Sequence, residues 1–243
     1  MRTGRTWAIA RADGSVQTGT FGTSRFQRIP LLRVIFGIFG ALAITIRRVG
    51  RGKQNRKFFF ALLALMVAMW PLDSWVHHAD LPGWAQAIYG PLSLLLVIGL
   101  LKVAAPASLW RYHGAEHKAV AAYERDISLD DPDAVMLCSR IHDRCGTNLV
   151  FLIGVISLLP LPSGGMGALT MLALIGLVAE VLGFAVRQHP RSILTRILLG
   201  GGRFLQRALT TREPQRDEVT VACTALKAAL AEHANLALRA ATG

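Results

Sequence analysis

The sequence predicts a mainly α, polytopic membrane protein: about four transmembrane helices as two hairpins, an interfacial helix, a cytoplasmic helical insert and a small N-terminal β-hairpin. Three observations carry this expectation. Of the 243 residues, 52% are hydrophobic and only 17% are charged. The apolar residues fall in long blocks, not at alternating spacing, and Lys and Arg gather between the blocks. A helix needs roughly 17–25 apolar residues to cross a bilayer core. A soluble fold burying this many such blocks would need far more polar chain to cover them.

In chain order, residues 1–28 open with "TWAIARADGSVQT", two short β-prone stretches around Asp13-Gly14, which reads as a hairpin over Thr6 to Thr20. Residues 29–57 hold the apolar segment Ile29 to Ile46 and a basic linker. Arginines flank that segment on both sides, so it reads as an interfacial or re-entrant helix, with a true crossing as the alternative. Residues 58–105 form the first membrane hairpin, from the runs Phe58 to Leu72 and Trp84 to Leu101. Residues 106–148 are the insert. Residues 149–187 form the second hairpin, from Leu149 to Leu161 and Ala168 to Val186. The basic tail, 188–243, repeats Ile193, Leu194, Ile197, Leu198, Leu205 and Leu209 around a break of three glycines, a pattern for the membrane surface. It ends in an Ala-rich helix over Val219 to Ala241, suited to packing or to homo-oligomerisation.

Charge sets orientation. Arg47, Arg48, Arg51, Lys53, Arg56 and Lys57 precede the first span, whereas His77 to Gly83 holds no Lys or Arg. With both termini and the insert in the cytoplasm, every basic segment obeys the positive-inside rule. The net charge of +12 suits anionic lipid heads. Nucleic acid is not an expected partner, because the basic residues flank spans and form no stripe with interleaved aromatics. The first thirty residues lack the apolar core of a cleavable signal. Cys138, Cys145 and Cys223 fall on the cytoplasmic side, where thiols stay reduced.

The chemistry concentrates in "RYHGAEHKAV". His113 and His117 lie one helical turn apart, so both imidazoles can reach one ion, and Glu116 stands beside them as a general base for water. His-x-x-Glu-His is the inverted zinc-protease arrangement, which requires a third ligand from elsewhere. The competing reading is the polar face of a surface helix. Two sources for the third ligand stay open. Glu180 is a carboxylate within an apolar span, where such groups are expensive and mark function. His142 and Cys145, in "HDRCGT", are i, i+3 neighbours with good zinc donors; their bland reading is a helix cap by Asp143 or Thr147. His142 and Cys145 are preferred, since neither must leave a bilayer. Glu124 lies two turns from His117, too far for a direct ligand.

The strings "RYHGAEHKAVAAYE", "HDRCGTNL" and "TTREP", in that order, resemble domain of unknown function 1385, the bacterial YqhQ-like membrane proteins. The resemblance runs through almost the whole chain and implies an inner-membrane, metal-dependent enzyme. It matches His113, Glu116, His117, Glu124, His142, Arg144, Cys145, Glu180 and Thr210 to Pro214 to family positions. Asp143 departs from a proline often found there. Relatives also carry a Gly-Gly-Gln-Ala-Val block with a Glu ahead of the Met-Arg that opens this chain, so part of the site is expected to precede residue 1.

The functional expectation is a membrane-embedded hydrolase, a peptidase by its motif, with zinc as the divalent metal. Glu116 is the base, and Arg144 or Arg212 stabilises the oxyanion. The alternative is a non-catalytic assembly factor or transporter with a structural metal or polar cluster, and Glu180 on its path. The sequence names no substrate.

Overall fold

The computed structural model describes residues 2–3, 6–20, 64–65, 67–68, 71, 75–76, 78–79, 81–156, 168–189 and 191–242. The expected interfacial segment at 29–46 and most of the expected first span lie outside them, as do residues 157–167 of the second hairpin. The chain is mainly helical with one small antiparallel sheet. It divides into two compact units, residues 1–24, 106–142 and 206–243, and residues 25–105 and 143–205.

The first unit joins a sheet to three helices. Strands β2 (Thr6–Ala10) and β3 (Val16–Thr20) form the expected hairpin, and a two-residue strand β1 (Arg2–Thr3) adds to its other edge. Gly14 takes φ +81, a conformation glycine adopts without strain, and the Ser15 N–H bonds Asp13 Oδ1 at 2.8 Å. Helix α2 (Ala107–Tyr123) starts after Pro106. It ends where Asp126 turns left-handed at φ 56 and the Ile127 N–H returns to the Ala122 carbonyl at 3.0 Å. Short helix α3 (Pro132–Met136) has Pro132 in its first turn and Asp131 as cap, accepting from the N–H groups of Asp133 and Ala134 at 3.1 Å.

Helix α7 (Arg216–Thr242) fulfils the expectation of an Ala-rich terminal helix and begins three residues earlier than expected. Its Val219, Ala222, Cys223 and Leu226 pack on Ala115, Ala119 and Ala122 of α2 and on Val135 and Cys138. Small side chains on both helices let the backbones approach, and burial supplies the stabilisation. Burial also pushes the Cys223 thiol above its ordinary 9.0. Thr6 Oγ1 donates to the Ala229 carbonyl at 3.0 Å, tying the sheet to α7.

The second unit holds α1 (Gly83–Ala104), α4 (Gly146–Ile156), α5 (Ala168–Gln188) and α6 (Ile193–Leu205). Among the described residues one helix, over Gly83–Leu100, is long and apolar enough to cross a membrane, and Gly146–Val155 is a shorter apolar helix. Trp84, Leu92 and Val103 on α1 are exposed. The glycines at 200–202 do not break their segment as the sequence suggested. Helix α6 runs through them, and Gly201 and Gly202 form a crossing with α4. A Cβ on Gly202 would stand 2.1 Å from Asn148 Oδ1, and one on Gly201 1.9 Å from Phe151. Leu199 is fully buried against Leu152, Val178 and Leu182, while Ile193, Leu194, Ile197 and Phe204 are exposed.

Candidate metal centre

The site is built on α2. Its buried face is mostly small, Gly114, Ala115, Ala119 and Ala122, with His117 buried among them and His113 half-buried beside it. Gly114 serves one purpose. A Cβ there would stand 2.3 Å from the carbonyl oxygen of Arg212, so only glycine lets the 211–215 segment lie directly on the helix. The Arg212 N–H bonds the Trp110 carbonyl at 2.9 Å, fixing that contact.

This docking supplies the partner of His113. Residues Gln206–Thr210 form a π-helical turn, closed by the Thr211 N–H on the Gln206 carbonyl at 3.0 Å. Such turns are wide and often lie at functional sites. Here the Thr210 carbonyl points at His113 Nδ1, 2.6 Å away. His117 Nδ1 lies 2.7 Å from the Arg140 carbonyl. A carbonyl oxygen can only accept, so Nδ1 donates in each ring, and in the neutral ring the lone pair lies on Nε2. Histidines that bind metals show this arrangement, the second nitrogen held by a carbonyl or carboxylate. The two ring centroids are 4.4 Å apart. Their ligand nitrogens lie within 4.8 Å of each other, a spacing one ion can bridge.

His142 is fixed as firmly. Buried Gln206 clamps its backbone, accepting from the His142 N–H at 2.9 Å and donating to its carbonyl at 3.0 Å. Its Nε2 lies 3.1 Å from Glu124 Oε2, a carboxylate–histidine pair, and its ring is 5.8 Å from that of His117. Glu116 is half-buried on α2 beside the histidines. Arg212 contributes its backbone to the docking, while its side chain is exposed. Arg144, Cys145 and Glu180 belong to the second unit. There the Thr147 N–H points at Cys145 Sγ at 3.5 Å, so sulfur occupies the capping place expected for Asp143 or Thr147. Asp143 instead pairs with Arg203 through both carboxylate oxygens at 2.7 Å. Glu180 is half-buried on α5.

A second layer escaped the reading of the sequence. Lys118 is 4% exposed, and its Nζ donates to the carbonyls of Met136 at 2.6 Å and Cys138 at 2.7 Å. It thereby satisfies the open C-terminal end of α3. It also pairs with Glu213 at 2.7 Å, and Arg140 reaches the same carboxylate at 3.3 Å and Thr211 Oγ1 at 2.6 Å. These bonds hold 136–140, which presents the Arg140 carbonyl to His117, and 211–213, which directly follows the Thr210 carbonyl that meets His113. The signal was present: Lys118 falls on the Ala115, Ala119, Ala122 stripe, where a cation must find partners.

A helical protein with one small sheet and a cluster of oriented histidines is the class that fold and site define. Residues 56–232 match the family described as "Protein of unknown function (DUF1385)", and the chain belongs to that family. It is 31% identical over 148 residues to "Uncharacterized protein YqhQ" of Bacillus subtilis (strain 168), an alignment covering 56% of this chain and 46% of that protein. The chain thus spans about half the length of the curated relative it matches. No solved structure matches it.

Proposed function

We propose that this protein is a membrane-embedded, metal-dependent hydrolase of the bacterial inner membrane, acting on peptide bonds at the cytoplasmic face. One observation carries the reading. The two histidines of the His-x-x-Glu-His helix are both held at Nδ1 by backbone carbonyls, which directs both Nε2 lone pairs to ligation. Nitrogen donors at this spacing fit zinc.

His113 and His117 would hold the ion, with the third donor from the 142–145 segment or from Glu180. Zinc bound there would supply Lewis-acid polarisation of a scissile carbonyl and acidify water. Glu116, one residue before His117, accepts the proton from the attacking water. Arg144 and Arg212 are the cations proposed for the developing oxyanion. The Lys118–Glu213–Arg140 network keeps the ring-orienting carbonyls fixed through the cycle.

A second reading has its own support. Glu124 on His142 and the Lys118 network hold the region together without an ion, as a structural polar cluster or closed metal site in an assembly factor or transporter would. Metal analysis of purified full chain, read beside peptide hydrolysis, decides between them. A stoichiometric divalent ion lost in the His113→Ala, His117→Ala double variant, and kept in Glu116→Gln with hydrolysis abolished, supports the enzyme. Full occupancy in the double variant ends the metal reading. Metal retained with no hydrolysis by the wild type favours the structural one.

A further inference from the structure

Helix α6 carries two apolar faces, and the protein covers one of them. Thr195, Leu199, Gly202 and Leu205 are buried, Leu199 against Leu152, Val178 and Leu182. Ile193, Leu194, Ile197 and Phe204 are 65–74% exposed. At 3.6 residues per turn those four fall within an arc of about 100° on the side away from Leu199. The repeat of isoleucine and leucine in the sequence therefore holds two stripes, and the second stays uncovered. The same spacing sets Arg196 between them. With Ile193, Ile197 and Arg203 it lines a groove of about 390 Å³. Asp143 engages Arg203 through both carboxylate oxygens, and the described lining of the groove contains no acidic residue. From Arg187 to Leu209 the chain has five arginines and no Asp or Glu, and Arg191 and Arg196 are exposed.

We propose that α6 rests on an anionic lipid surface. Ile193, Leu194, Ile197 and Phe204 enter the boundary between headgroups and acyl chains, and Arg196 takes lipid phosphate. An amphipathic helix lies in that layer with its apolar side sunk about 5–10 Å. Guanidinium offers phosphate oxygens paired donors, and a basic segment without acids is drawn to anionic heads. Charge also selects this occupant over a second copy of the chain. A two-fold dimer through the same face would set the arginines of one α6 against those of the other. An anionic bilayer satisfies the apolar stripe and the cations together. The inference rests on the membrane reading of this chain and is independent of the hydrolase.

The test uses the full chain in vesicles of equal phosphatidylglycerol and phosphatidylcholine. The photoreactive residue p-benzoylphenylalanine is placed at Ile197, at Phe204 or, on α1, at Leu92, and the adducts are identified by mass. Illumination should give phospholipid adducts at Ile197 and Phe204, with phosphatidylglycerol enriched over its share of the bulk. Arg196→Gln should shift that ratio toward the bulk value by up to about fivefold, the preference one arginine contributes at an anionic surface. Ile197→Glu, which puts a like charge among the heads, should lower the adduct yield at Phe204. Adducts to a second protein chain in place of lipid overturn the choice of occupant. A bulk lipid ratio in the unsubstituted chain, or a ratio unchanged in Arg196→Gln, overturns the role of Arg196. Lipid adducts at Leu92 with none at Ile197 and Phe204 overturn the inference and leave the membrane reading standing. Adducts at none of the three positions remove both.

Discussion

The Nδ1 nitrogen of His117 donates to the backbone carbonyl of Arg140 at 2.7 Å, and the side chain of that same Arg140 grips Thr211 Oγ1 at 2.6 Å. One residue thus orients a histidine of α2 and anchors the segment that follows the partner of the other. The tautomers follow. Long-range nitrogen–proton NMR on histidine-labelled protein should find His113 and His117 protonated at Nδ1, and His142 protonated at Nε2, where it faces the Glu124 carboxylate. Nε2–H signals for both residues of the His-x-x-Glu-His pair would show that the carbonyls do not hold them.

Gly114 should be intolerant of even a methyl group. Gly114→Ala places a carbon 2.3 Å from the Arg212 carbonyl oxygen, a backbone atom that cannot rotate aside. Overpacking of this kind costs about 1–3 kcal/mol. Because the displaced segment adjoins Thr210, the variant should also weaken metal binding, as read by competition with a zinc-sensitive dye. Ordinarily glycine-to-alanine within a helix is stabilising. A gain in Tm with unchanged zinc affinity would therefore show that the contact is absent.

Several elements were legible because they depend on local chemistry. Asp13-Gly14 between β-prone stretches marks a turn, the spacing of His113 and His117 marks one helical face, and the Ala-rich run to Ala241 marks a packed helix. What remained hidden depends on backbone atoms and on contacts distant in sequence. The carbonyls of Thr210 and Arg140 carry no residue identity, so no pattern announces that they hold imidazoles. Thr6 meets Ala229 across 223 residues, and nothing local encodes that pairing. The glycines at 200–202 have two readings, a break or a close crossing, and only the position of Asn148 and Phe151 decides for the crossing.

Lys118 and Glu213 should differ widely in effect although they form one ion pair. Lys118→Met leaves the carbonyls of Met136 and Cys138 without their donor, at about 1–3 kcal/mol for each buried group. Glu213 is 62% exposed at its side chain, so solvent screens its share, and Glu213→Gln should cost under about 1 kcal/mol. Denaturant unfolding of the two variants checks the order. Equal losses would mean that the pair, and not the capping of α3, is the stabilising element.

The identity of the third ligand is the prediction on which the enzyme class turns. His142 is already immobilised by Gln206 and paired with Glu124, and Cys145 follows three residues on in the chain. A thiolate is a strong zinc donor and requires no carboxylate to ionise within an apolar helix. Glu180 lies seven residues before Arg187, about two turns or ~10 Å up α5 by helical rise. Ionised there, it carries the penalty of charge in apolar surroundings. Zinc affinity measured in detergent should fall more than about a hundredfold in Cys145→Ala and remain unchanged in Glu180→Ala, since losing one direct ligand exceeds the ~10–100-fold effect of an outer partner. Glu124→Gln, which leaves His142 without its carboxylate, should fall within that smaller range. Loss of zinc in Glu180→Ala with Cys145→Ala unaffected would reverse the assignment. It would also align the site with peptidases that take a glutamate as third ligand, because a carboxylate leaves the ion more electrophilic than a thiolate does.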